Sequence, residues 1–154
     1  MSNTRYAACS ASGIGELSAQ AQLTRRTYAQ AAYTFTNADE QLSTLLGGSL
    51  RSIRVSDHMA TAMVTHRIWR GLEATVDLFG SSSYWWQFFA GGNRPFVFPG
   101  PKKVDAVVSY RHTLADRRAI EFFTRIENLA NYAYYEDGFR TPKAWAVGGM
   151  KFQF

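Results

Sequence analysis

The sequence predicts an all-β fold, an antiparallel transmembrane β-barrel segment in which about seven meandering strands form an incomplete barrel. Three observations support this prediction. Apolar and polar residues alternate with a period of two along most of the chain. The connections between the alternating segments are short at one end and long at the other. Residues 144–154 alternate up to a terminal phenylalanine, whereas chain termini usually fray.

Each alternating segment has one apolar face, as a half-buried strand requires. The clearest segment is 72–79, where leucine, alanine and valine alternate with glutamate, threonine and aspartate. The other predicted strands are 17–23, 29–36, 59–68, 104–111, 120–127 and 144–154. Residues 1–12 are poorly patterned, so the predicted barrel region is 13–154.

The connections differ in length in a regular way. Short ones lie at 24–26, 69–71 and 115–118, and long loops are predicted at 37–58, 86–103 and 129–143. Short periplasmic turns and long extracellular loops are typical of outer-membrane barrels. Prolines lose no ladder hydrogen bond in such loops, and all four lie there: Pro95, Pro99, Pro101 and Pro142.

Aromatic residues make up 15% of the chain and predict two belts at the membrane interfaces. The belt near the short turns contains Trp69, Phe152 and Phe154. The belt near the long loops contains Tyr33, Phe35, Tyr84, Trp85, Trp86, Phe88 and Phe89. The charged residues of the strands fall on the opposite face, which suits a wet barrel lumen and a half-exposed soluble sheet equally well.

Composition excludes several other classes of protein. No run of about 18 apolar residues exists, so no transmembrane helix is predicted. The net charge is +5, but lysines and arginines do not cluster, so no nucleic-acid partner is expected. Cys9 is the only cysteine, which excludes an internal disulfide. No signal peptide is visible.

The polar residues indicate no catalytic chemistry. The spacing of His58, His66 and His112 matches no metal-ligand motif, so we expect His58 in a loop and the other two at the interface. The carboxylates of Glu73 and Asp77 are expected to be solvated rather than to form an acid–base pair. No nucleophile elbow or phosphate-binding glycine loop is present. We therefore predict no enzyme activity, no cofactor and no metal.

The best candidate for ligand contact is the aromatic segment 84–94. Tyr84, Trp85, Trp86 and Arg94 could hold a planar anionic chelate through ring stacking and charge. The alternative interpretation is an interfacial belt followed by a mobile loop.

The end of the chain carries a more specific pattern. Ile126-Glu127-Asn128-Leu129 is followed by Tyr135, Gly138-Phe139, Pro142 and the terminal strand. This order and spacing resemble the C-terminal end of TonB-dependent outer-membrane receptors, most specifically over 118–154. Lys143-Ala144 stand where that family has Gly-Arg, and Asn131 stands where Asp is common. The motif residues are Asn128, Leu129, Gly138, Phe139 and Pro142. Gly149, Phe152 and Phe154 resemble the signal that the barrel-assembly machinery recognises in this family.

The resemblance implies the C-terminal portion of a receptor for scarce ligands, of the siderophore-iron or cobalamin type, in the outer membrane of a Gram-negative bacterium. Barrels of that family have about 22 strands and a plugged lumen. We therefore expect a fragment that lacks the plug, the TonB-contacting segment and the signal peptide, and that does not transport alone. The expected partners are outer-membrane lipid and the barrel-assembly machinery, with the TonB system engaged only by the full-length protein. The small-molecule ligand is not named by the sequence.

Two alternatives stay open at this point. One is a small complete outer-membrane β-barrel, and the other is a soluble all-β binding domain.

Overall fold

The computed structural model describes residues 13–42, 48–51, 55–87, 95–114, 118–136 and 139–154, and their only regular secondary structure is β-strand. The strands are β1 (Gly13–Thr24), β2 (Thr27–Asn37), β3 (Asp39–Leu42), β4 (Gly48–Arg51), β5 (His58–Trp69), β6 (Leu72–Ser81), β7 (Tyr84–Gln87), β8 (Pro95–Phe98), β9 (Lys102–Thr113), β10 (Ala119–Glu127), β11 (Tyr135–Glu136), β12 (Phe139–Arg140) and β13 (Trp145–Gln153).

Seven of these strands form one antiparallel sheet in the order β1-β2-β5-β6-β9-β10-β13. The order follows the chain, so every long strand pairs with the next one as in a meander. The predictions of an all-β, antiparallel fold and of seven meandering strands are confirmed. In the described part of the chain the sheet is open, with β1 and β13 at its edges.

The register brings the predominantly apolar faces of the seven strands to one side of the sheet. One row of directly paired residues crosses the whole sheet: Ala21, Ala29, Val64, Val76, Ala106, Ile126 and Ala146. Because side chains alternate between faces, residues two positions away along each strand share the side of this row. We call this side the apolar face and the opposite side the polar face.

The same row measures the inclination of the strands. In β2 the row contains Ala29, three residues after the turn residue Arg26. In β10 it contains Ile126, eight residues after Arg118, which lies at the same end of the sheet. The offset of five residues is about 16 Å along the strands, accumulated over four strand spacings of about 19 Å in total. The strands are therefore inclined by about 40° to the line of turns, which is the tilt that closure into a barrel requires.

Two of the three predicted short turns are confirmed, and residues 115–117 of the third lie outside the described residues. Two-residue turns at Arg25-Arg26 and Arg70-Gly71 join β1 to β2 and β5 to β6. Gly71 has a φ of 75°, and a Cβ there would lie 2.1 Å from the Arg111 carbonyl oxygen. The Gly71 carbonyl also accepts a hydrogen bond from the Arg111 amide at 2.7 Å. Glycine is needed because only a residue without Cβ allows this approach.

The long connections differ from the prediction, because each contains a short hairpin where a loop was expected. The pairs are β3 with β4, β7 with β8, and β11 with β12, and none of them belongs to the seven-stranded sheet. Strands of two to four residues show too few alternations to be read from a sequence. Pro95 opens β8, a position where a strand tolerates the missing amide donor.

Few side chains in the described residues are buried. The buried apolar residues are Tyr84, Trp86, Ala119 and Tyr134, and the buried polar ones are Asp105 and Asn128. All except Ala119 lie at the end of the sheet that carries the long connections. No second layer covers either face of the sheet in the described residues, so the fold differs from a soluble β-sandwich, whose core lies between two sheets.

Candidate functional site

The apolar face forms an extended exposed surface across the described sheet. Val64, Val108 and Phe122 are 41%, 44% and 50% exposed on it. Their chain neighbours Thr65, Ser109 and Phe123, on the polar face, are only half-exposed. Monomeric soluble proteins rarely expose contiguous apolar patches larger than a few hundred Å², whereas this face extends across seven strands.

Charge is segregated between the two faces. Within the register of the described sheet, Lys102 at the start of β9 is the only Asp, Glu, Lys or Arg on the apolar face. The polar face carries Glu16, Arg67, Glu73, Asp77, Lys103, Asp105, Arg111, Glu121, Arg125, Glu127 and Lys151. The charged side chains of the described sheet are thus confined almost entirely to one face.

Aromatic rings lie at both ends of the apolar face. At the long-loop end the Tyr33 hydroxyl is 2.7 Å from His58 Nδ1, and the Phe35 and His58 ring centroids are 5.3 Å apart. His58 is the first residue of β5, so its predicted loop position is wrong. At the short-turn end Trp69, Phe152 and Phe154 are 69%, 60% and 102% exposed.

The other two histidines also lie on the apolar face, near the short turns. His66 Nδ1 is 2.9 Å from the Thr27 hydroxyl, and the His112 ring stacks on Tyr110 with centroids 6.4 Å apart. In the described residues no three histidine, cysteine or acidic side chains come together as a metal site. No helix there is long and apolar enough to cross a membrane.

Of the predicted assembly residues, Gly149 and Phe152 lie on β13, the edge strand that pairs with β10, and Phe154 follows its last residue. Gly149 faces Phe123 in the register, and a Cβ on Gly149 would lie 2.5 Å from the Phe123 ring. Lys151 Nζ is 5.1 Å from the centroid of the same ring. Gly149 therefore has a packing role that the sequence did not indicate, because the ring covers the glycine. Recognition of Gly149, Phe152 and Phe154 by the assembly machinery stays a prediction.

This packing makes a prediction about two adjacent glycines. Gly149→Ala should lower the free energy of unfolding by about 1–2 kcal/mol, because the Phe123 ring must leave its place. Gly148→Ala is the matched control, since its Cβ would meet only the Phe123 carbonyl oxygen at 3.5 Å and the Thr124 hydroxyl at 3.8 Å. Denaturant unfolding of both variants checks the prediction. Equal stability of the two variants would contradict it.

Asn128 is the buried residue of the family motif: it is 3% exposed and has a φ of 53°. Its side-chain amide donates to the carbonyl oxygens of Tyr132 at 2.9 Å and Pro142 at 3.1 Å. Its side-chain oxygen accepts from the Tyr132 amide at 3.1 Å. Its own backbone amide donates to Asp105 Oδ1 at 2.9 Å. Asn128 thus joins the last long connection to the sheet.

The other motif residues have separate positions. The Leu129 amide donates to the Val104 carbonyl at 2.7 Å, while its side chain is 49% exposed. Phe139 is 79% exposed on β12. Gly138 lies outside the described residues. Asn131, the departure from the family pattern, has a φ of 53°, and its side-chain oxygen accepts from the Ala144 amide at 3.2 Å.

Asp105 belongs to a ring of four charges on the polar face. Lys103 lies 2.9 Å from Asp105 and 3.6 Å from Glu127, and Arg125 lies 3.1 Å from Glu127 and 3.9 Å from Asp105. Asp105 is 9% exposed, so these partners offset its desolvation. The link from Asp105 to Asn128 was not predicted from the sequence. The signal was the shared face of Asp105, Arg125 and Glu127 on adjacent predicted strands.

The predicted ligand-contact segment is a strand at its described positions, not a loop. Tyr84, Trp85 and Trp86 lie on β7, and Tyr84 and Trp86 are 7% and 8% exposed, so neither faces an interfacial belt. The Tyr84 hydroxyl donates to the Tyr135 carbonyl at 2.7 Å, and the Phe98 ring lies 5.9 Å from Tyr84 and 5.5 Å from Tyr135.

These contacts tie the β7–β8 hairpin to the connection that carries β11 and β12. Arg94, Phe88 and Phe89 lie outside the described residues. Contact between this segment and a ligand stays a prediction.

Tyr134, in the same connection, is 4% exposed, and burial together with the nearby Glu136 raises the pKa of its hydroxyl above the usual value. The neutral hydroxyl is favoured by the fold, so its stabilising effect is complete below the unfolded pKa of about 10 and is lost as pH rises through the folded value. Absorbance titration of tyrosinate should lose one late-ionising group in Tyr134→Phe. An unchanged alkaline limb in that variant would contradict the prediction.

Comparison with known proteins gives no relative for this site. A scan against known protein families, a search of curated proteins and a search of solved structures each returned no match.

Proposed function

We propose that this chain forms the C-terminal part of the barrel wall of a TonB-dependent outer-membrane receptor. The observation that carries the proposal is the exposed apolar face, which runs in register across seven tilted strands. Among the described residues of these strands it has a single Asp, Glu, Lys or Arg, Lys102 at its rim. β1, β2, β5, β6, β9, β10 and β13 have 9–12 residues each. Strands of about 9–11 residues, tilted by about 45°, cross a bilayer.

The resemblance of the last connection supports the choice of family. Asn128 of the Ile126–Leu129 motif is buried, and all of its polar groups are hydrogen-bonded, one to Asp105 of the sheet and the others within the connection. The polar face would then line the lumen, where its charges stay hydrated. In such a receptor this part acts as wall and loop support for uptake of a scarce ligand, and it performs no bond chemistry.

The proposal is tested by replacing the last seven strands of an established TonB-dependent receptor with residues 13–154. The chimera should reach the outer membrane and show a folded band whose gel mobility changes on heating. The chain alone, secreted behind a leader, should partition into detergent. A chain that stays monomeric in aqueous buffer without detergent would contradict the proposal and favour the soluble alternative. A heat-modifiable band formed by the chain alone would favour the small complete barrel.

A further inference from the structure

A hollow of about 480 Å³ opens on the polar face, where β1, β2, β5, β6 and β9 lie side by side. Its size is that of a small-molecule site. The side chains that give it chemical character are Gln20, Gln30, Met63, Asp77, Phe79 and Asp105. Five neighbouring strands contribute to one hollow, so the polar face is concave at this place.

Two carboxylates lie directly opposite each other in this hollow. Asp77 of β6 pairs with Asp105 of β9 in the register. Like charges directly opposite in an antiparallel pair are destabilising unless other groups neutralise them. Asp105 is neutralised by Lys103 at 2.9 Å and accepts the Asn128 amide at 2.9 Å. Asp77 has no ion pair and no side-chain hydrogen bond within the described part of the chain.

The charge of the lining follows from these groups. Asp77, Asp105 and Lys103 are its only ionisable side chains, so the hollow carries one net negative charge at neutral pH. Arg125 approaches Asp105 at 3.9 Å from outside the lining and is itself paired with Glu127 at 3.1 Å. The uncompensated negative charge is therefore that of Asp77.

The neighbours of Asp77 suit the non-polar part of an organic cation. Phe79 lies two residues along the same face, and Met63 is directly opposite Asp77 on β5. An aromatic ring attracts a cation through its quadrupole, and a thioether packs adaptably against alkyl groups. Gln20, Gln30 and Thr61 add neutral hydrogen-bonding groups at the rim.

We propose that this hollow binds an ammonium or guanidinium cation, with the positive group at Asp77 and its carbon atoms against Phe79 and Met63. The cation could be a free small molecule or the side chain of a basic polypeptide segment that lies against the polar face. The charged and polar side chains of the lining lie on the face opposite to the proposed membrane surface, so the site does not depend on the membrane role. Failure of one proposal would leave the other standing.

Methylguanidinium and its neutral counterpart methylurea are titrated into the folded 154-residue chain, and the backbone amide NMR signals of β5 and β6 are followed. Methylguanidinium should shift these signals saturably, and methylurea should not. Asp77→Asn should weaken the binding by about 10-fold, as expected for loss of one charge-assisted contact. Glu73→Gln removes a carboxylate from the same strand and face outside the hollow, so it is the matched control and should change affinity by less than about 2-fold.

Equal affinities for the two probes would overturn the proposal, as would equal losses in the two variants or no saturation by methylguanidinium. The source of the cation is distinguished by comparing spermidine with an acetylated Gly-Arg-Gly amide. Tighter binding of spermidine supports a free amine, and tighter binding of the peptide supports a basic polypeptide segment. The comparison of probes on the unmodified chain keeps the test valid if a variant fails to fold.

Discussion

Val108→Arg should lower the free energy of unfolding of the sheet far more than Ser109→Arg, although the two residues are adjacent in β9. Val108 is 44% exposed on the apolar face, between Ala74 and Thr124 of the neighbouring strands. If this face contacts lipid, an arginine near its middle should lower the free energy of unfolding by about 2–4 kcal/mol. Ser109 lies on the polar face opposite Glu73, where an arginine stays hydrated and meets an opposite charge.

The measurement is denaturant unfolding of both variants in detergent micelles, followed by tryptophan fluorescence. We expect the free energy of unfolding of Ser109→Arg to stay within about 0.5 kcal/mol of that of the unmodified chain. The reverse order, with the larger loss at Ser109, would mean that the polar face is the one removed from water. Equal and small effects would mean that neither face contacts an apolar medium.

Asn128→Ala should be the most damaging single truncation in the long connections. It removes the three hydrogen bonds that the side chain makes with Tyr132 and Pro142, and it places alanine at a φ of 53°. Lost buried hydrogen bonds of about 1 kcal/mol each, together with about 1–2 kcal/mol for a left-handed backbone, predict a loss of about 4–5 kcal/mol. Asn128→Gly keeps the backbone permissive and should recover about 1 kcal/mol.

Asn131→Ala is the matched control, because Asn131 is the same residue type at the same φ but is exposed. It loses one exposed hydrogen bond, to the Ala144 amide, and has the same cost for a left-handed alanine, so a loss of about 2–3 kcal/mol is expected. Hydrogen exchange of the Tyr132 and Leu129 amides reports whether the connection has detached from the sheet. A loss at Asn131 as large as that at Asn128 would contradict the central position assigned to Asn128.

The strands could be predicted because a period of two is repeated over 9–12 residues, which is long enough to exclude accident. The register then follows, since a slip of one residue would move every apolar side chain to the other face. The hairpins β3–β4, β7–β8 and β11–β12 could not be predicted, because two to four residues hold too little pattern. Tyr84 and Trp86 show the same limit, since an aromatic pair reads alike in an interfacial belt and in a buried cluster.

The candidate site could be predicted only where local sequence determines it. The family motif singled out Asn128, and its positive φ gives it a left-handed backbone conformation suited to a turn. Its link to Asp105 joins residues 23 positions apart, which depends on how β9 and β10 pair rather than on local sequence. The hollow at Asp77 likewise brings five strands together and has no local signature.

The central claim is that the apolar face contacts lipid and the polar face contacts water. Spin labels attached at single cysteines through 72–81, in a Cys9→Ser background reconstituted into micelles, test it directly. Power saturation with oxygen and with a water-soluble nickel complex distinguishes lipid from water at each position. If the apolar face contacts lipid, we expect oxygen contact at even-numbered positions such as Ala74, Val76 and Leu78. We expect nickel contact at Glu73, Thr75 and Asp77. Nickel contact at every position, or the opposite alternation, would contradict it.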